Sequence, residues 1–186
     1  GKALMMGALM GSKGRIYAFD VSERRLNRLK PRLKRSGLSN LFPRWISNEN
    51  DVKVKRLAGK VDRVIVDAPC SGLGTLRRNP DIKLRQTLES IEEAKRDQEA
   101  ILVSAAKLLK PGGRLVYATC SFLPEENQEI IENFLAAHTK FTLLNCAELF
   151  MQQKIPLDTG MFLQLYPGEH NTDSFFAAAL MLARND

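Results

Sequence analysis

The sequence predicts an α/β fold built on a mostly parallel sheet. Three observations carry that expectation. Short runs rich in β-branched residues (15–20, 62–67 and 114–119) alternate with longer stretches of helical period (22–34 and 88–109), the pattern of a sheet covered by helices. Two of the runs end in an acid, Asp20 and Asp67, and the third runs into Thr119-Cys120-Ser121. Ligands of such sheets bind outside the carboxyl ends of the strands, so three strands are expected to deliver acids and thiols to one crevice.

The elements are expected in this order. Residues 5–10 read as an apolar helix end, and 15–20 as a strand. Residues 22–34 form a helix with Leu26, Leu29 and Leu33 along one face. Pro31 should kink or interrupt it, because an interior proline costs about 3 kcal/mol. After the strand at 62–67, a long helix at 88–109 is stopped by Pro111-Gly112-Gly113. The strand at 114–119 is followed by a helix at 125–137 and by strands near 141–144, 161–165 and 174–182.

With 186 residues, 44% hydrophobic and 26% charged, the chain has the composition of one globular domain with a real core, spanning residues 1–186. No apolar run reaches the ~18 residues of a membrane span. The start, Gly1-Lys2-Ala3-Leu4-Met5-Met6, lacks the features of a signal peptide, so a cytoplasmic protein is expected. The formal net charge of +7 favours a polyanionic partner. Arg24, Arg25, Arg28, Lys30, Arg32, Lys34 and Arg35 crowd the first long helix, and Arg77 and Arg78 follow a loop of interest. Three cysteines, Cys70, Cys120 and Cys146, with two histidines, make neither a disulfide framework nor a zinc site. No metal is expected.

Asp20 lies 19 residues after Gly1, close to the offset at which a strand-end acid accepts ribose hydroxyls. The competing reading is a helix start capped by Ser22, with Asp20 merely nearby. Cys70 and Cys120 each sit just past a strand end, in Asp-Ala-Pro-Cys-Ser-Gly and Ala-Thr-Cys-Ser. Two thiols beside Asp67 suit covalent catalysis on a pyrimidine. Cytosine C5 is a poor nucleophile until a thiolate adds at C6, and a carboxylate can hold the exocyclic amine and ring N3. The competing reading is a pair of buried structural cysteines, and Cys146 is read that way.

Residues 67–72 and 118–121 resemble the two signature motifs of the Sun/Fmu (RsmB-like) family of RNA 5-methylcytosine methyltransferases, with the 16S ribosomal RNA branch most similar. The resemblance continues through Arg77-Arg78-Asn79-Pro80-Asp81-Ile82-Lys83, Leu109-Lys110-Pro111-Gly112-Gly113 and Leu123-Pro124-Glu125-Glu126-Asn127, and ends in Thr172-Asp173-Ser174-Phe175-Phe176-Ala177-Ala178. It implies a Rossmann-like class I methyltransferase with an antiparallel last strand, S-adenosyl-L-methionine as cofactor, and RNA as partner of a monomer. Ribosomal RNA is expected first and transfer RNA second. It implies Cys120 as the nucleophile at C6 and Cys70 as the group that assists release. The opposite assignment, as in DNA cytosine-C5 methyltransferases, stays open. Cofactor contacts carry over to Gly1, Lys2, Asp20 and Asp67. A further family aspartate, 19 residues before Asp67, falls on Asn48, with Asp51 close by. Phosphate contacts are expected from Arg77, Arg78, Arg24, Arg25 and Arg28.

The family pattern also has a central strand and an Asp-x-Cys-x-x-x-Gly-Gly-Lys-like loop ahead of Gly1, so the chain is expected to be an excerpt of a longer protein. Two rivals remain. An amino-group methyltransferase would need an aromatic side chain where Cys70 stands. An RNA-binding relic would have no use for two cysteine motifs.

Overall fold

The structure, a computed structural model, describes residues 1–184. The chain divides into two compact units, Gly1–Arg56 and Leu57–Asp186.

The N-terminal unit holds α1 (Lys2–Leu9), β1 (Ile16–Asp20), α2 (Glu23–Ser36), β2 (Leu41–Trp45) and α3 (Val52–Lys55). β1 and β2 pair in parallel, from Ile16 opposite Leu41 to Asp20 opposite Trp45. β2 was not expected. It contains Pro43, which is tolerated here because β2 pairs only with β1 among the described residues. Leu26, Leu41, Ile46 and Val54 are buried. α2 runs through Pro31 to Ser36, so the expected interruption is corrected. Ser22 caps its start and Gly37, at φ +68°, closes its end. The inward residues Leu26, Leu29 and Leu33 bracket the proline and hold both halves against the sheet.

The C-terminal unit holds β3 (Val61–Asp67), α4 (Ile82–Arg85), α5 (Leu88–Ala106), β4 (Leu109–Thr119), α6 (Gln128–Ala137), β5 (Phe141–Leu144), α7 (Cys146–Gln152), β6 (Leu163–Leu165), α8 (Pro167–His170) and β7 (Phe175–Leu182), with single tight turns at Leu73–Thr75 and Pro124–Glu126. Its sheet is ordered β3-β4-β7-β5, with β6 also on β7. β3 is parallel to β4, and β7 is antiparallel to β4, β5 and β6. Four strands therefore share one direction and the last is reversed, as the sequence reading expects. Leu102, Leu115, Ile131, Ala178 and Leu180 are fully buried between the sheet and α5 and α6.

Pro111-Gly112-Gly113 does not stop a helix. α5 ends at Ala106, and Leu109 already pairs with Val61. The next matched pair is Arg63 with Arg114, so residues 110–113 bulge out of β4. Gly112, at φ +75°, turns the bulge. At Gly113 a Cβ would lie 2.7 Å from the Lys110 carbonyl oxygen, too close for any side chain. The expected helix at 125–137 likewise divides into the turn Pro124–Glu126 and α6.

Candidate active site

The loops that follow β3 and β4 are joined through their backbones. Ala68 N–H donates to Ala118 O at 2.9 Å, one step beyond the last paired residues of the strands. Gly74 N–H then donates to Cys120 O at 2.9 Å, and Gly74 O accepts from Ser174 N–H at 2.9 Å. A Cβ on Gly74 would lie 2.6 Å from Cys120 O and 2.7 Å from Ser174 O. Only glycine lets three segments meet there. Gly72, at φ +73°, turns the first loop back toward the second. The outcome is a Cys70 Sγ to Cys120 Sγ distance of 3.4 Å, with both residues half-buried.

Beneath the thiols lies a buried polar network. The Glu126 carboxylate accepts from Ser71 N–H at 2.7 Å and from Ser71 Oγ at 2.6 Å. Ser71 Oγ lies 3.3 Å from Ser121 Oγ. Gln98 Nε2 donates to Glu126 Oε1 at 3.2 Å and to Pro69 O at 2.8 Å. Asn127 donates to Ser121 O at 3.0 Å and accepts from Thr119 Oγ1 at 2.5 Å. Tyr117 Oη donates to Glu126 O at 2.7 Å. A buried carboxylate is tolerated only with partners of this kind.

The surroundings push the Cys70 thiol well above its ordinary range. The hydrogen bond with Cys120 is the largest cause, followed by burial. Burial likewise raises the Tyr117 phenol and the Cys146 thiol. Cys146 is buried at the start of α7, the packing role that the sequence reading expects.

The family model for the 16S rRNA methyltransferase RsmB/F family matches residues 1–181. The chain belongs to that family. A probable ribosomal RNA small subunit methyltransferase B of Synechocystis sp. is 39% identical over 98% of this chain and 41% of its own length. Ribosomal RNA small subunit methyltransferase B of Klebsiella pneumoniae is 39% identical over 93% of this chain and 38% of its own. The chain thus spans about two fifths of the length of these curated relatives. Among solved structures, NSun6 from Pyrococcus horikoshii, crystallised with SFG, superposes with a TM-score of 0.83 at 30% identity, over 100% of this chain and 46% of that one. A methyltransferase homologue from the same organism gives 0.77 at 32% identity, over 98% and 58%.

In this RsmB/F chain the C-terminal unit brings Cys70 and Cys120 together. Asp67 is exposed at the end of β3, opposite Ala118. The other predicted residues lie as follows. Asp20 closes β1, where its Oδ1 accepts from Ser22 N–H at 2.8 Å and pairs with Arg25 at 2.9 Å. Ser22 Oγ in turn accepts from Arg25 N–H, so the cap coexists with an oriented carboxylate. Arg25 is engaged with Asp20, whereas Arg24 and Arg28 stand exposed on α2. Asn48 Oδ1 accepts from Asn50 N–H at 2.8 Å. Asp51 caps α3 through Lys53 N–H and also binds Ser47 N–H and Oγ, which hold its carboxyl below the usual range. Gly1 and Lys2 form the head of α1, where Gly1 O accepts from Met5 N–H. Arg77 donates to Asn171 Oδ1 at 3.3 Å, and Arg78 forms an ion pair with Asp173.

Sequence reasoning passed over Gln98, Glu126 and Asn127 as functional residues. A signal was present. Gln98 shares a helical stripe with the buried Leu102, Ala105 and Ala106, and Asn127 shares one with Ile130, Ile131 and Phe134. A polar residue on an apolar stripe is one the fold must satisfy internally. Among the described residues no cluster of histidine, cysteine, aspartate or glutamate could hold a metal, and no helix is long and apolar enough to cross a membrane.

Proposed function

We propose that this chain is the catalytic part of an enzyme that methylates C5 of a cytosine in RNA, with ribosomal RNA as substrate. The observation that carries the reading is the 3.4 Å approach of Cys70 and Cys120 at the ends of two parallel strands. The names of the relatives and the SFG-bound neighbour, SFG being an analogue of S-adenosylmethionine, support the substrate and the cofactor.

Each unit carries donors and acceptors of the kind S-adenosylmethionine would need. Asp20 presents a carboxylate fixed by its own helix start, suited to ribose hydroxyls. Asn48 offers an amide suited to adenine, while Asp51 is committed to capping α3. Gly1 and Lys2, at the head of α1, are the remaining candidate contacts of the N-terminal unit, and Asp67, at the end of β3, is the candidate contact of the C-terminal unit. When bound, the cofactor supplies an electrophilic methyl group on a sulfonium.

Cys120 Sγ adds to C6 of the cytosine as the nucleophile, which makes C5 electron-rich. Cys70 keeps its proton near neutral pH, because burial and the neighbouring sulfur both disfavour its thiolate. It can therefore donate a hydrogen bond toward Cys120 Sγ. Asp67 accepts from the exocyclic amine and holds the base. Once C5 carries the methyl group, its proton passes to a water, the electron pair of the C5–H bond re-forms the ring double bond, and Cys120 Sγ leaves C6 as a thiolate that the Cys70 hydrogen bond stabilises. The base must leave its stack to reach the thiols. Arg77 and Arg78 would exchange Asn171 and Asp173 for phosphates, joined by Arg24, Arg25 and Arg28. The enzyme acts as a monomer, in the cytoplasm where ribosomal RNA lies, and residues 1–186 serve as one catalytic domain.

The test is methyl transfer by the full-length protein to ribosomal RNA in vitro, with the product mapped at nucleotide resolution. New 5-methylcytosine that requires Cys120 supports the reading. Methylation on an exocyclic amine would replace it with an amino-group methyltransferase.

A further inference from the structure

Glu126 and Asn127 are adjacent, polar and buried, the residues being 0% and 2% exposed. Each grips a different cysteine loop. Glu126 takes both the backbone N–H and the hydroxyl of Ser71, the residue after Cys70. Asn127 takes Thr119 and Ser121, the residues on either side of Cys120. The two grips are cross-linked above by the contact between Ser71 Oγ and Ser121 Oγ. They are anchored below by Gln98, which ties Glu126 to Pro69 O.

Gln98 marks what this arrangement demands. It is fully buried, yet its Oε1 has no hydrogen-bond partner among the described residues. Turning the amide over would satisfy nothing, because Pro69 O and Glu126 Oε1 are both acceptors and need the Nε2 side. The chain leaves one buried carbonyl unsatisfied to keep two donors aimed at the segment around Cys70. Such exceptions call for a specific reason.

We propose that the Glu126-Asn127 pair is the positioning element that sets the separation of Cys70 and Cys120, one side chain holding each loop. The catalytic consequence rests on the function proposed above; the geometric claim does not. Neither side chain is placed to touch the cytosine. They act through Ser71, Thr119 and Ser121 on the sulfurs, and a shift of about 1 Å at a reacting group can cost about a hundredfold in rate.

The separation has a readout independent of methylation. One cysteine thiolate attacks a sulfur of oxidised glutathione, forming a mixed disulfide and releasing one reduced glutathione; the second cysteine then attacks the mixed disulfide, closing the protein bridge and releasing the other. The closing step is intramolecular, so its rate reports how well the thiols are apposed. We expect Glu126→Gln in the full-length protein to slow closure of the Cys70–Cys120 bridge, followed by peptide mass mapping, about tenfold or more. Methylation kcat should fall by a similar factor, with RNA and S-adenosylmethionine affinities unchanged. Asn127→Ala should do the same from the other loop, and Asn127→Asp, which keeps the acceptor for Thr119 but loses the donor to Ser121, should fall between it and the parent. Gln98→Met keeps the question answerable should Glu126→Gln fail to fold, and a severalfold slowing is expected there. Folded variants that close the bridge at the parent rate overturn the proposal. Slowed closure in an enzyme that never methylates RNA would uphold the positioning role and remove the function assigned above.

Discussion

In the N-terminal unit, the candidate functional side chains are held by their own neighbourhood. Asp20 bonds to residues two and five positions away, and Asp51 to residues two and four away. In the C-terminal unit the bonds that tie the Cys70 loop to the Cys120 loop and to Glu126 span 50 to 55 residues, and the grip of Asn127 on Thr119 and Ser121 is short, at eight and six. A contact within one turn comes with the segment that carries it and survives modest changes elsewhere. A contact across fifty residues exists only when the sheet is formed in register. The first unit therefore offers a pre-shaped acid at a strand end, while the second offers chemistry contingent on the whole fold.

The largest difference should appear in activity. Cys120→Ala in the full-length enzyme is expected to abolish methylation, and Cys70→Ala to accumulate a covalent protein–RNA complex that runs as a slow band on denaturing gels and requires Cys120. Asp20→Asn should weaken cofactor binding yet leave turnover measurable at saturation. Retained turnover in Cys120→Ala, with loss in Cys70→Ala, would exchange the roles of the two thiols.

Stability should separate the units next. Leu115, fully buried in β4, should cost about 3 kcal/mol as Leu115→Ala, whereas Leu26→Ala, at the edge of a smaller core, should cost about 2 kcal/mol. Hydrogen exchange in denaturant reads the two units separately; equal losses confined to the same amides would erase the distinction. At Gly74 the effect should be narrower. Gly74→Ala drives a methyl group into Cys120 O and Ser174 O, and the loop must move. We expect kcat to fall at least about tenfold, in line with the cost of misplacing a reacting group, while substrate affinities stay near their parent values.

The pH responses should run in opposite directions. Cys70 and Tyr117 hold their protons above the ordinary values of 9.0 and 10.0. The stability tied to them is intact below pH 9 and falls as pH rises beyond it, because the unfolded chain ionises first. In the N-terminal unit the Asp51 carboxyl is held below 3.8. Its contribution is intact above that pH and is lost as pH falls through the folded value. Exchange measured across pH should therefore loosen residues 47–55 on the acid side and the cysteine loops on the alkaline side. Cys70→Ser should flatten the alkaline limb.

The smallest effect concerns RNA. Each phosphate contact contributes about −0.7 to the logarithmic salt slope for a single strand. Replacing both Arg24 and Arg28 by alanine should shallow the slope of the full-length enzyme by about 1.4. Arg25→Ala should change it less, since that guanidinium is shared with Asp20. An unchanged slope in the double variant would take α2 off the RNA surface.

Much of the fold was legible because its signals are local. The alternation of strands and helices, the acids ending β1 and β3, and the face of α2 all follow from residue period and caps. The two cysteine motifs were legible for the same reason, each being a contiguous loop behind a strand. β2 was missed; it contains Pro43, whose cost depends on whether the strand has one partner or two. Pro31 and the Pro111-Gly112-Gly113 bulge were misjudged because helix packing and strand register, both non-local, overrode the local preference. What the chain determined unaided is which thiols and acids stand at strand ends. Only the tertiary structure decided that Cys70 and Cys120 lie 3.4 Å apart and that Glu126, Asn127 and Gln98 lie beneath them. That distance is the sum of a register, two loop turns and a buried network closed across fifty residues, and no segment contains it alone.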